Sequence, residues 1–198
     1  MTSKVIAVTG GIGSGKSETV RYLRTLGYNA LDCDVLAREV SLRPETAEKV
    51  VKLLGDGFVA GGRLDRKKIR GKVFADEALL SQYNKIFFDG VKTLLDERLS
   101  VLKENFKPND SGKNIIFVEI SVFDAFDYPW DGVWLVESSL QTRLNRAQKR
   151  DGVSLESLND IVKRQNICDN YTVKLTNDGD LQSLYAQIDL ALINFMSI

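Results

Sequence analysis

A glycine-rich segment near the N-terminus has the residue types and the spacing of a phosphate-binding loop. It reads Gly10-Gly11-Ile12-Gly13-Ser14-Gly15-Lys16-Ser17 and matches the pattern G-x-x-x-x-G-K-[ST]. Glycines let the backbone wrap closely around an anion, so that successive N–H groups point at phosphate oxygens. Lys16 adds a positive charge for the β and γ phosphates of a nucleotide, and the Ser17 hydroxyl is a candidate Mg²⁺ ligand. The segment therefore predicts a site for ATP and Mg²⁺, because a plain strand-to-helix turn has no need for Lys16 and Ser17.

We expect the phosphate contacts to come from this loop and from the first turn of the helix that follows it. The candidate residues are Gly11, Gly13, Ser14, Gly15, Lys16, Ser17 and Glu18. Glu18 is the unusual member, because its carboxylate lies beside an expected anion site. A solvent-facing position favoured by the helix dipole is the simpler interpretation of this residue.

Two carboxylates follow other predicted strands and are candidates for the chemistry. The chain contains no His, which excludes imidazole bases, Ser-His-Asp triads and histidine metal sites. Asp34 follows the short run Ala30-Leu31 and is the candidate base that accepts the proton of an acceptor hydroxyl. Helix capping is the alternative role for Asp34, and the residues alone favour neither. Glu119 ends the run from Ile115 and is a candidate for holding Mg²⁺ or one of its waters, the alternative being a strand-end charge that faces solvent.

Basic residues later in the chain have a helical spacing. Arg143, Arg146 and Arg150 are three and four residues apart, which places them on one face of a helix. That face is a candidate for closing over a triphosphate, although spacing alone favours an ordinary exposed basic face. The cluster at 163–165 (Lys, Arg, Gln) has the same two interpretations.

Composition restricts the class of protein. The chain has 198 residues, 43% of them hydrophobic, with 27 Lys and Arg against 27 Asp and Glu. This is typical of one globular domain, and zero net charge gives no general attraction to nucleic acid or to an anionic membrane. The two cysteines are too few for a disulfide framework, and we find neither a signal peptide nor an apolar run of membrane-spanning length. We therefore expect a cytoplasmic protein with a small-molecule partner, and the sequence predicts no oligomeric state.

The alternation of apolar runs with helical patterns predicts an α/β fold. Five runs are predicted strands of a buried parallel sheet: Val5 to Thr9, Ala30-Leu31, Ile115 to Val118, Val133 to Val136 and Tyr171 to Thr176. Helices are predicted over Thr19 to Leu26 and, from an apolar stripe, over Leu181 to Phe195. An amphipathic stretch from Asp76 to Lys103 predicts a helix that is interrupted near Phe88-Asp89-Gly90. Loop-forming residues from Pro108 to Gly112 then return the chain to the sheet.

Together these segments resemble the dephospho-coenzyme A kinases. Thr9 to Ser17 is similar to the nucleotide loop of that family, and Asp32-Cys33-Asp34-Val35-Leu36-Ala37-Arg38 is similar to its Asp-Ala-Asp-x-x-Ala-Arg segment. Further matches are Gly62-Arg63-Leu64-Asp65-Arg66, Val73-Phe74-Ala75-Asp76, Arg146, Arg150-Asp151-Gly152-Val153, Gln165 and Asn177-Asp178-Gly179. The chain departs from the family at Phe88-Asp89, where the family has His-Pro, and over Glu119 to Ala125, where it has Asp-x-Pro-Leu-Leu-Phe-Glu.

The resemblance implies a P-loop kinase fold, a parallel sheet flanked by helices with a helical acceptor-binding insertion and a lid. Residues 1–35 and 113–198 would form the nucleotide-binding core, with the lid at about 141–168, and residues 36–112 the acceptor-binding subdomain. The implied activity is transfer of the γ-phosphoryl group of ATP to the ribose 3′-hydroxyl of dephospho-coenzyme A. Asp34, Lys16 and Arg146 would be catalytic, with Arg146 and Arg150 binding the nucleotide from the lid and Ser17 and Glu119 holding the metal.

Other functions remain open at the level of sequence. The altered segments at Phe88-Asp89 and Glu119 to Ala125 would permit a nucleoside monophosphate kinase or another small-metabolite kinase. A degenerate protein that binds nucleotide without catalysis is the alternative from another class.

Overall fold

The computed structural model describes residues 3–60, 63–73, 75–106, 114–123, 126–152, 154–165 and 167–196. Several residues of the sequence analysis lie outside these ranges: Gly62, Phe74, the loop formers from Pro108 to Gly112, Asp124-Ala125 and Val153. The chain divides into two compact units, Met1–Asp32 with Leu102–Ile198, and Cys33–Val101. We call them the sheet unit and the helical unit.

Strands and helices alternate along much of the chain. The strands are β1 (Lys4–Thr9), β2 (Asn29–Asp32), β3 (Val59–Ala60), β4 (Arg63–Leu64), β5 (Ile115–Glu119), β6 (Gly132–Glu137) and β7 (Val173–Thr176). The helices are α1 (Lys16–Thr25), α2 (Cys33–Leu42), α3 (Pro44–Leu54), α4 (Arg66–Val73), α5 (Glu77–Glu104), α6 (Leu140–Asp151), α7 (Leu155–Arg164) and α8 (Leu181–Met196). A short 3₁₀ turn covers Asp56–Phe58.

The sheet unit contains a parallel sheet in the strand order β2-β5-β1-β6-β7. Its central strand, β1, pairs with β5 on one side and β6 on the other, with Val8 opposite both Glu119 and Trp134. All the described pairs in this sheet are parallel, so the carboxyl ends of the strands meet at one edge. Ligands of open α/β sheets bind outside that edge, and the loop after β1 lies there. The predicted α/β fold with its five strands is confirmed.

The central strands of the sheet, β5, β1 and β6, are largely buried because they are apolar on both faces. Ile6, Ala7 and Val8 of β1 are fully buried, as expected of a central parallel strand. One core cluster joins Phe117 and Trp134 of the sheet to Leu23 of α1 and to residues of α8. Each of these large side chains contributes about 1.5–3 kcal/mol when it leaves water. The predicted α8 stripe is confirmed from Leu184 onward, since Leu184 and Ile188 belong to this core, whereas Leu181 is 45% exposed.

The helical unit has a hydrophobic core of its own, and its longest helix differs from the prediction. Its core contains Val50, Ile69 and Val73, with Tyr83 and Phe87 of α5 packed against them. The predicted interruption at Phe88-Asp89-Gly90 is wrong, because α5 is continuous from Glu77 to Glu104. Gly90 has a packing reason: a Cβ atom there would lie 2.7 Å from Cγ1 of Val40 in α2.

Side chains cap most helices of the chain. Asp65, Asp76 and Asp180 accept hydrogen bonds from backbone N–H groups in the first turns of α4, α5 and α8, at 3.1, 3.0 and 2.8 Å. Ser139 and Ser154 do the same for α6 and α7. Such a cap is worth about 1 kcal/mol to a helix.

As for membrane association, no helix within the described ranges is long and apolar enough to cross a bilayer.

Candidate active site

Three glycines give the loop after β1 a path that other residues cannot follow. Gly10, Gly13 and Gly15 have φ angles of 149°, 74° and 108°, which favour glycine. Space is short as well, since a Cβ atom on Gly10 would lie 2.1 Å from the carbonyl oxygen of Val136 and one on Gly15 would lie 2.1 Å from Nδ2 of Asn177. Backbone geometry and close packing therefore account for these glycines.

The N-terminus of α1 differs from those of the capped helices. Its capping position is held by Gly15, in the left-handed conformation and with no side-chain hydrogen bond. The first N–H groups of a helix lack partners within the helix, and the helix dipole gives this end a partial positive charge. The arrangement suits a phosphate group, whose oxygens accept hydrogen bonds from such N–H groups.

Side chains from distant parts of the sheet unit fix the loop. Asn177 donates from Nδ2 to the carbonyl oxygen of Ser14 at 2.7 Å. At the tip of the loop, Gln165 accepts a hydrogen bond from the Ile12 N–H at 2.9 Å, and Arg143 donates from Nε to the Ile12 carbonyl oxygen at 3.1 Å. The loop is thus held in one shape by residues after β6 and β7, which reduces the ordering that ligand binding must supply.

Arg143 has a different role from the one that its spacing suggests. We expected it to share a face with Arg146 and Arg150, either over a triphosphate or exposed to solvent. It is instead 6% exposed, and its guanidinium group packs beneath the loop, so close that a Cβ atom on Gly11 would lie 2.3 Å from Nη2. Burial lowers the pKa of this guanidinium, and the charge of Glu137 opposes the shift. Arg143 therefore supports the loop from below.

A cavity of about 200 Å³ lies in front of the loop, lined by Gly13, Gly15, Lys16, Ser17, Glu18, Arg146 and Arg150. These are all candidate nucleotide-binding residues from the sequence. Gly11 and Ser14 do not line it and are buried. The cavity thus brings together the open helix end and three cationic side chains, a combination suited to a polyphosphate.

Lys16 lies across this loop. Its side chain is buried, and its ammonium group donates to the carbonyl oxygens of Gly10 at 2.9 Å and Gly11 at 3.3 Å. A buried ammonium group needs such partners, because its charge is costly to remove from water.

Ser17 and Glu119 form a pair of oxygen ligands at the carboxyl edge of the sheet. The Ser17 hydroxyl donates to Oε1 of Glu119 at 2.6 Å. Glu119 is 7% exposed, so the alternative of a solvent-facing charge is wrong. Asp32, the last residue of β2, lies opposite Glu119 on the neighbouring strand. The pair fits Mg²⁺, which prefers hard oxygen ligands and completes its shell with waters and substrate phosphates.

A cation at this position would not have a full protein shell. The described part of the chain contains no group of three or more His, Cys, Asp or Glu side chains that could hold a metal ion. Most ligands of a bound Mg²⁺ would therefore be phosphate oxygens and waters, as is usual for ions that arrive with a nucleotide.

Arg146 and Arg150 reach the cavity from α6. Arg146 is half-buried and donates to the carbonyl oxygen of Asn177 at 2.8 Å and to the Ser138 hydroxyl at 3.2 Å. Arg150 is exposed and forms a two-pronged ion pair with Asp151, at 2.7 Å for each bond. This hydrogen bonding to Asp151 raises the pKa of Arg150, against the effect of burial.

Comparisons with known proteins agree with this geometry. The family model described as Dephospho-CoA kinase matches residues 4–179. A dephospho-CoA kinase from Thermus thermophilus is 35% identical over 158 residues, covering 78% of this chain and 71% of the relative. One from Deinococcus radiodurans is 31% identical over 193 residues, covering 94% and 90%.

The chain belongs to the dephospho-CoA kinase family. A crystal structure of a protein from Thermus thermophilus superposes with a TM-score of 0.80 at 30% identity and covers 98% of both chains. The resemblance inferred from the sequence and the predicted P-loop kinase fold are thereby confirmed. Within the family pattern, the loop, Gln165 and Asn177 are joined by the hydrogen bonds described above.

Asp34 is the second aspartate of the segment whose resemblance to the family is described above. It is exposed and is the second residue of α2, so it lies in the first turn of the helix and not at the capping position before it. Asp32, the first aspartate of the same segment, ends β2 at the edge that also carries Glu119. The role of Asp34 as a base stays a prediction.

The helical unit contains a second cavity, of about 320 Å³. Ten residues line it: Ala37, Arg38, Ser41, Ile69, Arg70, Val73, Leu80, Tyr83, Asn84 and Phe87. It combines two arginines with an aromatic pair, Tyr83 and Phe87, whose ring centroids are 4.9 Å apart. Asp89, at the departure from the family's His-Pro, does not line it and pairs with Lys85 at 3.1 Å within α5.

Glu18 is neither fully solvent-facing nor without partners. It lines the first cavity, and its carboxylate accepts hydrogen bonds from Arg21 and from the Tyr185 hydroxyl. Burial alone would raise its pKa, but the bonds from Tyr185 and Arg21 outweigh this effect and lower the pKa from its usual value.

Sequence reasoning did not identify two residues of this region. Ser138, after β6, bonds the carbonyl oxygens of Ser14 and Asn177, and Tyr185 bonds Glu18 from α8. Tyr185 belongs to the helical pattern of α8, but that pattern does not indicate that its hydroxyl group contacts Glu18 of α1. Ser138 follows a predicted strand at the ligand-binding edge, which is the one signal that would have suggested it.

Proposed function

We propose that the protein transfers the γ-phosphoryl group of ATP to the ribose 3′-hydroxyl of dephospho-coenzyme A, producing coenzyme A and ADP. The observation that carries this proposal is the cavity at the uncapped end of α1, where Lys16, Arg146 and Arg150 surround backbone N–H groups. Membership of the dephospho-CoA kinase family supports the choice of acceptor.

The nucleotide phosphates would bind in this cavity. The N–H groups of the loop and of the first turn of α1 would donate to phosphate oxygens, while Lys16 would exchange its bonds with Gly10 and Gly11 for bonds to the β and γ phosphates. Mg²⁺, held by Ser17 and by Glu119 directly or through water, would neutralise charge on the phosphate oxygens. Arg146 would offset the charge on the equatorial oxygens of the transferring group.

Asp34 would accept the proton of the acceptor. As the 3′-oxygen forms its bond to the γ-phosphorus, the bond between that phosphorus and the bridging oxygen breaks, and ADP leaves with its electron pair. The 3′-hydroxyl proton passes to the Asp34 carboxylate. Asp34 supports this role because it is a carboxylate two residues after the end of β2 in a chain without His.

The second cavity supports binding of the acceptor by the helical unit. Dephospho-coenzyme A carries a pyrophosphate and an adenine ring. Arg38 and Arg70 are suited to the pyrophosphate, and Tyr83 and Phe87 offer ring faces for a base. Asp89 offers little opposition to an anionic acceptor, because Lys85 neutralises it.

The location that we propose is the cytoplasm. Cys33 and Cys168 are both buried and do not form a disulfide, which suits a reducing compartment. Small molecules are the proposed partners, since the charged residues balance over the whole chain.

An acceptor panel tests the function. The protein is incubated with ATP and Mg²⁺ and with dephospho-coenzyme A, a nucleoside monophosphate or no acceptor, while ADP is measured and the products are separated by chromatography. We expect ADP and coenzyme A to form in equal amounts only with dephospho-coenzyme A. Turnover with the nucleoside monophosphate alone would assign a different acceptor, and ATP binding without turnover on any acceptor would contradict catalysis.

A further inference from the structure

A carboxylate borders the cavity that the proposed function fills with a polyanion. Glu18 follows Ser17 in the first turn of α1 and lines the cavity with Lys16 and Arg146. Its side chain is 21% exposed, so water screens its charge only in part. Like charges repel strongly where screening is weak, and an unopposed Glu18 would therefore weaken the binding of a triphosphate.

Two side chains bind this carboxylate from outside the cavity. Arg21, one turn further along α1, donates from Nη2 to Oε1 at 2.6 Å and to Oε2 at 2.5 Å. The hydroxyl group of Tyr185, from α8, donates to Oε1. Neither residue lines the cavity. Both carboxylate oxygens of Glu18 thus accept hydrogen bonds from side chains of the protein itself.

Tyr185 is itself held in place. Its ring stacks on that of Tyr22 with centroids 4.0 Å apart and planes within 8°. The Tyr22 hydroxyl bonds Asp189, also on α8, at 3.1 Å to each oxygen. The hydroxyl of Tyr185 is therefore already oriented towards Glu18, and little side-chain freedom is lost in making the bond.

We propose that Arg21 and Tyr185 are positioning residues: both fix the Glu18 carboxylate by hydrogen bonds, and Arg21 also offsets its charge, so that the cavity accepts a nucleoside triphosphate. The inference rests on the proposed function in one respect, namely that ATP binds in this cavity. Arg21 and Tyr185 should therefore affect nucleotide affinity only while residue 18 carries a negative charge.

Combined variants test this dependence. Arg21→Ala and Tyr185→Phe are made in the parent protein and in a Glu18→Thr background, and Mg²⁺-ATP affinity is measured by calorimetry at low and high salt. Arg24→Ala is the matched control, because Arg24 is an exposed arginine on the same helix whose partner is the carbonyl oxygen of Ala30.

In the parent background, we expect Arg21→Ala to weaken ATP binding by roughly three- to tenfold and Tyr185→Phe by about two- to fivefold, since partly screened charge pairs have effects of this order. High salt should reduce the Arg21→Ala effect. Arg24→Ala should leave affinity unchanged. In steady-state assays the KM for ATP should rise while kcat stays the same.

In the Glu18→Thr background, both substitutions should change ATP affinity by less than about twofold. Equal losses in the two backgrounds would overturn the inference and assign Arg21 and Tyr185 a purely structural role, as would unchanged affinity in the parent background. If Tyr185→Phe fails to fold in a thermal unfolding assay, Arg21→Ala decides alone, because Arg21 is 66% exposed. A parent protein that binds no ATP would overturn the proposed nucleotide site as well, whereas ATP binding that is insensitive to these variants overturns this inference only.

Discussion

The two cavities of the protein are built in different ways. The cavity of the sheet unit is built around backbone, with three glycines at positive φ and an uncapped helix end, and distant side chains fix the loop. The cavity of the helical unit is built from side chains of three helices, α2, α4 and α5. Backbone recognition requires glycine at fixed offsets and leaves a pattern in the sequence, whereas side-chain recognition leaves no local pattern. Substitutions that affect one ligand and not the other test this contrast.

The largest effect is expected from the lysine of the loop. Lys16→Ala removes the buried cation that would contact the β and γ phosphates, so kcat/KM for ATP should fall by about a thousandfold and ATP affinity should fall with it. Calorimetry and steady-state kinetics measure both. Lys174→Ala is the control, because Lys174 is exposed and pairs with Glu137. Parent-like ATP affinity in Lys16→Ala would show that the loop does not bind the nucleotide.

Asp34→Asn tests the chemistry separately from binding. It keeps the size of the side chain and removes its basicity, so turnover should fall by roughly a hundredfold or more. ATP affinity and the thermal midpoint should stay at parent values, as they should in Glu39→Gln, a control on the same helix whose partner is the exposed Arg98. Unaltered turnover in Asp34→Asn would exclude Asp34 as the base.

Arg146→Lys keeps the charge at the cavity wall and changes its geometry. Lysine cannot reproduce the planar fork that reaches Asn177 and that would contact the phosphates, so turnover should fall about tenfold. Arg150→Lys is the matched comparison and should have a smaller effect, because Arg150 is exposed and already paired with Asp151. Equal turnover in Arg146→Lys and the parent would contradict a role for Arg146 in phosphate binding.

The smallest effect is expected in the helical unit. Arg38→Gln removes one of two cations from the second cavity, so the KM for dephospho-coenzyme A should rise about fivefold to tenfold while ATP affinity is unchanged. Arg98→Gln, whose partner is Glu39 outside that cavity, serves as the control. A change in ATP affinity without a change in the acceptor KM would reverse the assignment of ligands to the two cavities.

The fold was largely predictable because burial on both faces of a parallel strand produces an uninterrupted apolar run. β1, for example, was expected over Val5 to Thr9 and spans Lys4–Thr9. The predicted break in α5 was wrong for an instructive reason. Asp89-Gly90 resembles a helix stop, but Gly90 serves the close approach of Val40, and a contact between two helices cannot be inferred from either one alone.

Within the candidate site, the loop was predictable and its supports were not. Glycines occur at offsets that local backbone geometry demands, and lysine and serine occur at the offsets that phosphate and Mg²⁺ binding would need. Arg143, in contrast, has the same helical spacing as Arg146 and Arg150 but is buried beneath the loop. Periodicity shows which residues share a helix face and not what covers that face. The partners of Glu18 were missed for a similar reason, since Tyr185 is 167 residues away in sequence.

The uncapped N-terminus of α1 also has a consequence for the stability of the protein. Five other helices obtain a cap from an Asp or Ser side chain of the chain itself, whereas α1 has only Gly15. The phosphates of a bound nucleotide would take the place of that cap, so ligand and fold become thermodynamically linked. At a nucleotide concentration of about 100 times the dissociation constant, the native state gains about 2.7 kcal/mol relative to the unfolded chain. The cellular nucleotide pool would then protect the protein against heat and proteolysis as well as supply its substrate.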